Sequence, residues 1–293
     1  MLFVLPVIFS LIALEIIVGR IPNSYSYKYN YVKTHGEDIQ ALAIGHSQLY
    51  DGFKPESFHM SAFNLCNSEQ SYTDNYFILR EILPYMPHLK MVIMPIGYMN
   101  VGNEENNGYL TDRCGYYHKY MNINYDGSLP LKYYFECCAP TRAADKMISY
   151  YFKHKDIVGC DSLGRRSTHK LRNRTYNLNR HEWIDRYTRS KHENFCLINE
   201  EYLLKSIDLL MEKKIAVVLV SPPYYKECFK RVNGEQVRFI KDYMQKFCAH
   251  YPVRYIDLEA DTSFVAEDFF NETHLTEYGA EKFTQRLNNE LGI

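Results

Sequence analysis

An α/β fold, in which a five-stranded parallel sheet is covered by helices on both faces, is predicted by three observations. Five short apolar runs have the length and the β-branched or aliphatic content of buried strands; they are continuous rather than alternating; and segments of helical periodicity lie between them. The chain has 293 residues, 46% hydrophobic and 24% charged, which is enough apolar material for one large core or two small ones and excludes wholesale disorder and collagen-like repeats.

Taken in chain order, residues 1–20 read as an N-terminal membrane anchor. LFVLPVIFSLIALEIIVG (2–19) is apolar except for Glu15 and close to the roughly 20 residues that cross a bilayer. No basic start and no small-x-small cleavage site precede Arg20, so an uncleaved anchor is expected rather than a removable signal. The nearest positive charges, Arg20, Lys28 and Lys33, lie on the carboxyl side, and the positive-inside rule would then keep the rest of the chain in the cytoplasm. The function argued below requires the opposite, extracytoplasmic side; a natural start further upstream, carrying lysines, would reconcile the two. Residues 21–39, including the Tyr-rich SYSYKYNYVK, read as a linker, and 40–293 as the folded domain.

The strand candidates are 41–47, 62–66, 91–97, 216–222 and 253–259. Ser71 and Asp74 have capping-box spacing, and Tyr72, Tyr76, Leu79 and Leu83 then follow at helical intervals until Pro84. Leu203, Ile207 and Leu210 form a second stripe; Val237, Ile240, Met244 and Phe247 a third; Ala280, Phe283, Leu287 and Leu291 a fourth. The alternation breaks once, at about 98–197, where weak periodicity and many tyrosines mark a large insertion after the third strand.

Lys plus Arg (34) nearly equals Asp plus Glu (35), which argues against a nucleic-acid partner. Charge is uneven, however: 164–192 carries a local +7, suiting either a solvated face or a dock for an anionic polymer or lipid headgroup. The eight cysteines have no zinc-site spacing, so no metal and no other cofactor is expected. Cys66 and Cys248 sit in apolar patterns that suit reduced thiols, and disulfides among the others stay open.

Ligands of an open parallel sheet bind beyond the carboxyl ends of the strands. The first strand candidate ends in Gly45-His46-Ser47, and Asn271-Glu272-Thr273-His274 follows the fifth, just before a helix that Thr276 is positioned to cap. A serine and a histidine at one sheet edge make a nucleophile and a base. His46 alternates to the other side of the strand from Ser47 and reads as structural. Tyr116, Tyr117, Tyr120, Tyr125, Tyr133 and Tyr134 suit either packing of the insertion or a sugar platform, and Trp183 stays uncommitted.

In these motifs the sequence resembles the SGNH/GDSL hydrolase superfamily, over most of 40–291. Gly45-His46-Ser47 matches its first block, Asn64 to Ser71 its second, and Asn271 to Leu275 with Tyr278-Gly279-Ala280 its last. It looks most like the membrane-anchored bacterial relatives that modify surface polysaccharides. The resemblance implies a three-layer αβα sandwich of the flavodoxin-like, SGNH type. It implies Ser47 as nucleophile, His274 as base with Asn271 where the family has aspartate, and an oxyanion hole from Ser47, a second-block N–H at Ser68, and Asn100. Tyr98 stands nearer than Asn100 to the third-block position, and the second block lacks the family glycine at Ser68 or Glu69. An amide at 271 can orient the ring but cannot offset its positive charge, which predicts a slow enzyme or another orienting group such as Asp268.

The expected function is therefore a serine esterase or O-acyltransferase acting on an acylated cell-surface glycan or another ester through an acyl-serine, with a membrane-bound acyl-donor partner in the transfer case. The alternative is a catalytically weak or inactive protein of the same fold that binds or assembles glycans.

Overall fold

The computed structural model describes residues 4–98, 112–125, 135–166, 178 and 197–293. Its sheet contains β1 (Ala41–Ala43), β2 (Ala62–Asn64), β3 (Met91–Pro95), β4 (Ala216–Ser221) and β5 (Val253–Asp257), all parallel, in the order β2-β1-β3-β4-β5. This is the flavodoxin-like order, and each strand falls inside a run expected from sequence. The ladder extends beyond the regular strands, with Ile44 N–H on Ile93 O (3.0 Å), Leu65 N–H on Ala43 O (2.8 Å) and Ile96 N–H on Val220 O (2.9 Å). That extension explains why the apolar runs outlast the strands.

Alternate side chains enter separate cores. Leu42, Ile44, Val92, Met94, Val217 and Leu219 point to one face, where they meet α2 (Ser24–His35), α4 (Tyr72–Ile82), α5 (Asp112–Met121), α7 (Leu197–Glu212) and α9 (Gly234–His250). Ala41, Ala43, Ile93, Val218 and Val220 point to the other, against α3 (Ser47–Gly52) and α10 (Glu277–Leu291). Two cores flanking one sheet make a three-layer sandwich. The Ser71/Asp74 capping box begins α4, and Thr276 caps α10 through Gly279 N–H at 3.3 Å. Two shorter pieces, α6 (Pro140–Met147) and α8 (Lys226–Phe229), complete the helices used below.

The segment expected to be a linker is instead helix α2. Asn23 and Ser26 form a reciprocal capping box at its start, Tyr31 stacks on Phe63 with ring centres 4.3 Å apart, and the Tyr29 hydroxyl donates to Glu81 at 2.5 Å. Its alternating tyrosines mask helical period in the sequence, and docking on the sheet-side core decides the matter.

Before it, α1 (Val4–Gly19) leaves Leu5, Val7, Ile8, Phe9, Leu11, Ile12, Ile16 and Ile17 exposed. Glu15, the one acid in this run, is not a flaw in an apolar helix: it pairs with Lys119 and accepts the Glu136 N–H at 3.1 Å, fastening α1 to the insertion. Among the described residues no single helix is long and apolar enough to cross a membrane; α1 and α2 pass that test only as a pair bent by 58°.

Candidate active site

The site is built at the carboxyl edge of the sheet. As the chain leaves β1, Gly45 takes φ +144°, a conformation that L side chains rarely adopt, and a Cβ there would overlap the Pro95 ring. This turn delivers Ser47 to the first position of α3. His46 caps that helix, its Nδ1 accepting the Gln48 N–H at 3.3 Å, which agrees with the structural reading of this histidine.

The candidate base, His274, arrives from the far end of the chain. Phe270 N–H donates to His274 O (2.8 Å), closing the turn before α10; Leu275 in that turn and Phe283 on α10 both face Gly52 of α3. Gln48 Nε2 donates to Thr273 O (3.4 Å), tying the two loops together. His274 Nε2 thereby lies 2.8 Å from Ser47 Oγ, and His274 Nδ1 lies 2.9 Å from Asn271 Oδ1.

The tautomer follows from counting donors. Asn271 Oδ1 also accepts the backbone N–H groups of Thr273 (3.1 Å) and His274 (2.9 Å), so the atom at this point is the amide oxygen, not its nitrogen. An oxygen that only accepts requires a proton on Nδ1, which leaves Nε2 with the lone pair that faces the serine hydroxyl. Asn271 thus holds the ring with its Nδ1 proton directed at the amide and its Nε2 lone pair toward Ser47.

A carboxylate lies on the opposite side of the ring. Asp51, fully buried and four residues after Ser47 on α3, has Oδ2 3.8 Å from His274 Nε2 and Oδ1 3.1 Å from Arg166 Nε. Arg166 donates as well to the Ser68 hydroxyl and stacks on Tyr50, its guanidinium carbon 4.6 Å from the ring centre. Asp268, the substitute orienter suggested by sequence, is engaged elsewhere: its carboxylate pairs with Lys282 (2.9 Å) and accepts the Val265 N–H (2.9 Å).

The second block forms the adjoining wall. Asn67 N–H donates to Gly45 O (3.0 Å), setting the 67–69 turn beside the nucleophile turn. Among the described residues, the N–H groups of Ser47 and Ser68 donate to no backbone acceptor. Asn64, at the start of this block, anchors the nucleophile helix by donating from Nδ2 to Leu49 O (2.8 Å) and Phe53 O (2.9 Å). Glu69 occupies the left-handed conformation, φ +54°, at one of the two positions where the resemblance implies glycine. Asn100 lies outside the described residues, as do Tyr133, Tyr134, Trp183 and most of the basic stretch. Tyr98 is buried, donating its N–H to Glu259 (2.7 Å) while its hydroxyl accepts the Asn233 N–H (3.1 Å).

Tyr117 and Tyr125 are buried, with hydroxyls on Gln70 (2.9 Å) and Asp74 (2.6 Å), so packing accounts for both. Among the described residues no group of three His, Cys, Asp or Glu side chains is arranged to hold a metal ion.

Sequence reasoning missed Asp51, Arg166 and Gln48 as parts of this site and placed Asn64 in the second block without its anchoring role. Asp51 carried one signal, its i+4 spacing from Ser47 on a short helix, which puts both on the same face.

No family model matches the sequence, and no curated protein matches it. Among solved structures, the chain is similar to a candidate acylhydrolase from Bacteroides fragilis, at 10% identity and TM-score 0.42, over 89% of this chain and 95% of that one. It is similar to a GDSL-like lipase from Bacteroides thetaiotaomicron at 11% identity and TM-score 0.42, over 91% and 99% of the respective chains. A candidate platelet activating factor from Streptococcus pneumonia matches at 10% identity and TM-score 0.42, over 99% and 98%.

Proposed function

We propose that this chain is an SGNH-type serine esterase or O-acyltransferase acting on an acyl ester of a cell-surface glycan. The observation that carries the reading is the 2.8 Å contact of Ser47 Oγ with an imidazole whose far nitrogen is held by Asn271. As Ser47 Oγ bonds to the ester carbonyl carbon, its proton passes to His274 Nε2. The resulting oxyanion takes the N–H groups of Ser47 and Ser68, each such donor worth about 2.7–4 kcal/mol. Collapse breaks the bond to the alcohol oxygen, which leaves with the proton from Nε2, and the acyl group stays on Ser47. Water then gives hydrolysis; a sugar hydroxyl gives transfer.

Asp51 supplies the charge that Asn271 does not. When Nε2 is protonated, a carboxylate 3.8 Å away stabilises the imidazolium. Its pairing with Arg166 keeps it in place and moderates its field.

The exposed apolar face of α1 supports attachment to a membrane, with the folded domain extracytoplasmic, where a surface glycan would be met. A topology reporter fused at the carboxyl terminus tests that side of the reading, and a cytoplasmic signal overturns it.

A second reading, a glycan-binding or assembly protein that retains the fold with little or no catalysis, is favoured by the amide at 271. A fluorophosphonate probe separates the two. Labelling that disappears in Ser47→Ala is expected for the enzyme; no labelling of the wild-type chain between pH 6 and 9 supports the binder.

A further inference from the structure

We propose that Lys28 is a positioning residue for the reaction at Ser47: its buried ammonium fixes the peptide group that leads into Ser68 and so holds the oxyanion wall against the nucleophile helix. The clamp stands on the contacts around Lys28; its consequence for catalysis rests on the serine-ester reading above.

Lys28 belongs to α2, and its side chain is fully buried. Burying an ammonium costs free energy unless the charge is paired and hydrogen-bonded. Among the described residues its partners are the Cys66 carbonyl, to which Nζ donates, and the face of the Tyr50 ring, whose centre is 4.0 Å away. Asp161, an acid whose charge reaches it, spends Oδ1 on the Leu163 and Arg165 N–H groups at 3.1 and 2.9 Å. A methionine would fill the same space without the desolvation cost. What the lysine adds is therefore its charge and its N–H donors.

Cys66 O and the Asn67 N–H belong to one peptide group, and both of its polar atoms are used. The N–H donates to Gly45 O at 3.0 Å, in the turn that delivers Ser47, while the carbonyl accepts from Lys28. This peptide is thereby pinned between the nucleophile turn and α2, and the next N–H along the chain is that of Ser68, the second donor to the oxyanion. A cation on the carbonyl also polarises the peptide and strengthens the bond made by its N–H. Tyr50 completes the connection. It lies three residues after Ser47 on α3, and its hydroxyl donates to Gly159 O at 3.0 Å, so the ring under the ammonium is tethered at its far end.

Two other cations hold the following residue. Arg113 donates to Ser68 O and Arg166 to the Ser68 hydroxyl, but each also pairs with an acid, Glu69 at 2.6 Å and Asp51 at 3.1 Å. Lys28 makes no ion pair among the described residues, and the hydrogen bond it donates goes to the wall backbone.

The clamp carries a pH signature. Burial lowers the Lys28 ammonium to about 8, against the raising effect of Cys160, Cys66 and Asp161 and with a further lowering by Arg166. The groups facing it are Cys66 after β2, Tyr50 on α3, and Cys160, Asp161 and Arg166 of the insertion. Burial pushes the Cys66 and Cys160 thiols and the Tyr50 hydroxyl up, so the ammonium loses its proton before any of these three gains a charge. Above that point a neutral amine is left on the Cys66 carbonyl, and the wall is held more weakly.

The test uses the full chain, wild type and Lys28→Met, with two readouts. The backbone amide signals of Asn67 and Ser68 are followed by proton–nitrogen correlation NMR from about pH 6.5 to 9.5. Both are expected to show a step near pH 8 in the wild type that is missing in Lys28→Met. The second readout is kcat on a neutral chromogenic ester over the same range, with the Ser47→Ala rate subtracted. Wild-type kcat is expected to fall across the same step. Lys28→Met is expected to be about ten- to a hundredfold slower at neutral pH, with KM little changed and no step. Lys28→Gln, which keeps a neutral N–H donor, is expected to lie between the two and also to lack the step; it reports on the clamp if the methionine variant does not fold. A neutral-pH kcat within about twofold of wild type in these variants, or steps that persist in them, overturns the proposal. Amide steps that depend on Lys28, without Ser47-dependent turnover or fluorophosphonate labelling, retain the clamp and overturn only the serine-ester reading.

Discussion

Asp51 Oδ2 and His274 Nε2 lie 3.8 Å apart, on the serine side of the imidazole. In the superfamily that the sequence resembles, the acid stands behind the ring, at the position of Asn271. In the proposed mechanism the two tasks of that acid are divided: Asn271, 2.9 Å from Nδ1, orients the ring, and Asp51 offers charge. At 3.8 Å the attraction between Asp51 and an imidazolium is several kcal/mol at the effective dielectric of a partly buried site, and the Arg166 pair takes back a share.

A net contribution of about 2 kcal/mol corresponds to roughly thirtyfold in rate. Asp51→Asn is therefore expected to lower kcat on a neutral chromogenic ester by ten- to a hundredfold, with KM little changed and the circular-dichroism melt within a few degrees of wild type. Asn271→Asp alone is expected to raise kcat, because it adds charge where the ring is already aligned. The coupling decides the case: in the Asn271→Asp background, Asp51→Asn should cost several-fold less. Equal losses in both backgrounds would assign Asp51 a purely architectural role with Arg166.

Much of this was legible in the sequence, and the missing parts have physical reasons. Continuous apolar runs located β1, β3 and β4, because a strand covered on both faces has no polar side to interrupt it, whereas the edge strand β5 leaves Arg254 and Asp257 exposed and carries that signal less cleanly. Ser47 and His274 are 227 residues apart, so pairing them needed the rule that sites gather at the carboxyl edge, together with the motif order. Helix α2 was hidden because S-Y-S-Y-K-Y-N-Y alternates with period two, whereas its helicity comes from the Asn23/Ser26 cap and from docking Tyr29 and Tyr31. Arg166 was beyond reach of any local pattern: it serves the site only because the insertion folds back, with its N–H on Tyr50 O at 3.0 Å. Asn271 read as a defect because sequence shows the residue type and not the two backbone N–H groups that fix which way its amide points.

Gly45 is expected to tolerate no side chain. Gly45→Ala places a Cβ on the Pro95 ring and forces alanine to φ +144°, two costs that together come to on the order of 3 kcal/mol or more. Urea unfolding should show the loss. Adding Pro95→Ala should recover only the steric part, since the backbone strain remains. Full recovery would mean that φ is not constrained at this turn.

At Glu69, strain and charge oppose each other. A glutamate at φ +54° carries about 1 kcal/mol of left-handed strain, which Glu69→Gly removes along with a rim ion pair of similar or smaller size. The expected change in melting temperature is therefore zero to slightly positive, whereas Glu69→Val, β-branched in the same conformation, should destabilise clearly. A large stability loss in the glycine variant would show that the Arg113 pair, and not backbone geometry, holds the oxyanion wall.

Glu259 gives the fold a pH dependence with a definite sign. Burial at the end of β5 pushes its carboxyl up to about 7, against the lowering effect of the Tyr98 N–H it accepts. Well below pH 4.5 the folded and unfolded chains both carry the protonated acid. As pH rises toward 7 the unfolded chain releases this proton while the folded one keeps it, so unfolding is favoured progressively and stability falls by roughly 3 kcal/mol before levelling off above the folded value. Glu259→Gln keeps an oxygen for the Tyr98 N–H and has nothing to titrate. The difference between wild-type and variant unfolding free energies, measured in urea from pH 4.5 to 8, should therefore widen over this window and then hold constant, whereas parallel curves would mean that Glu259 ionises in the folded chain as it does in the unfolded one.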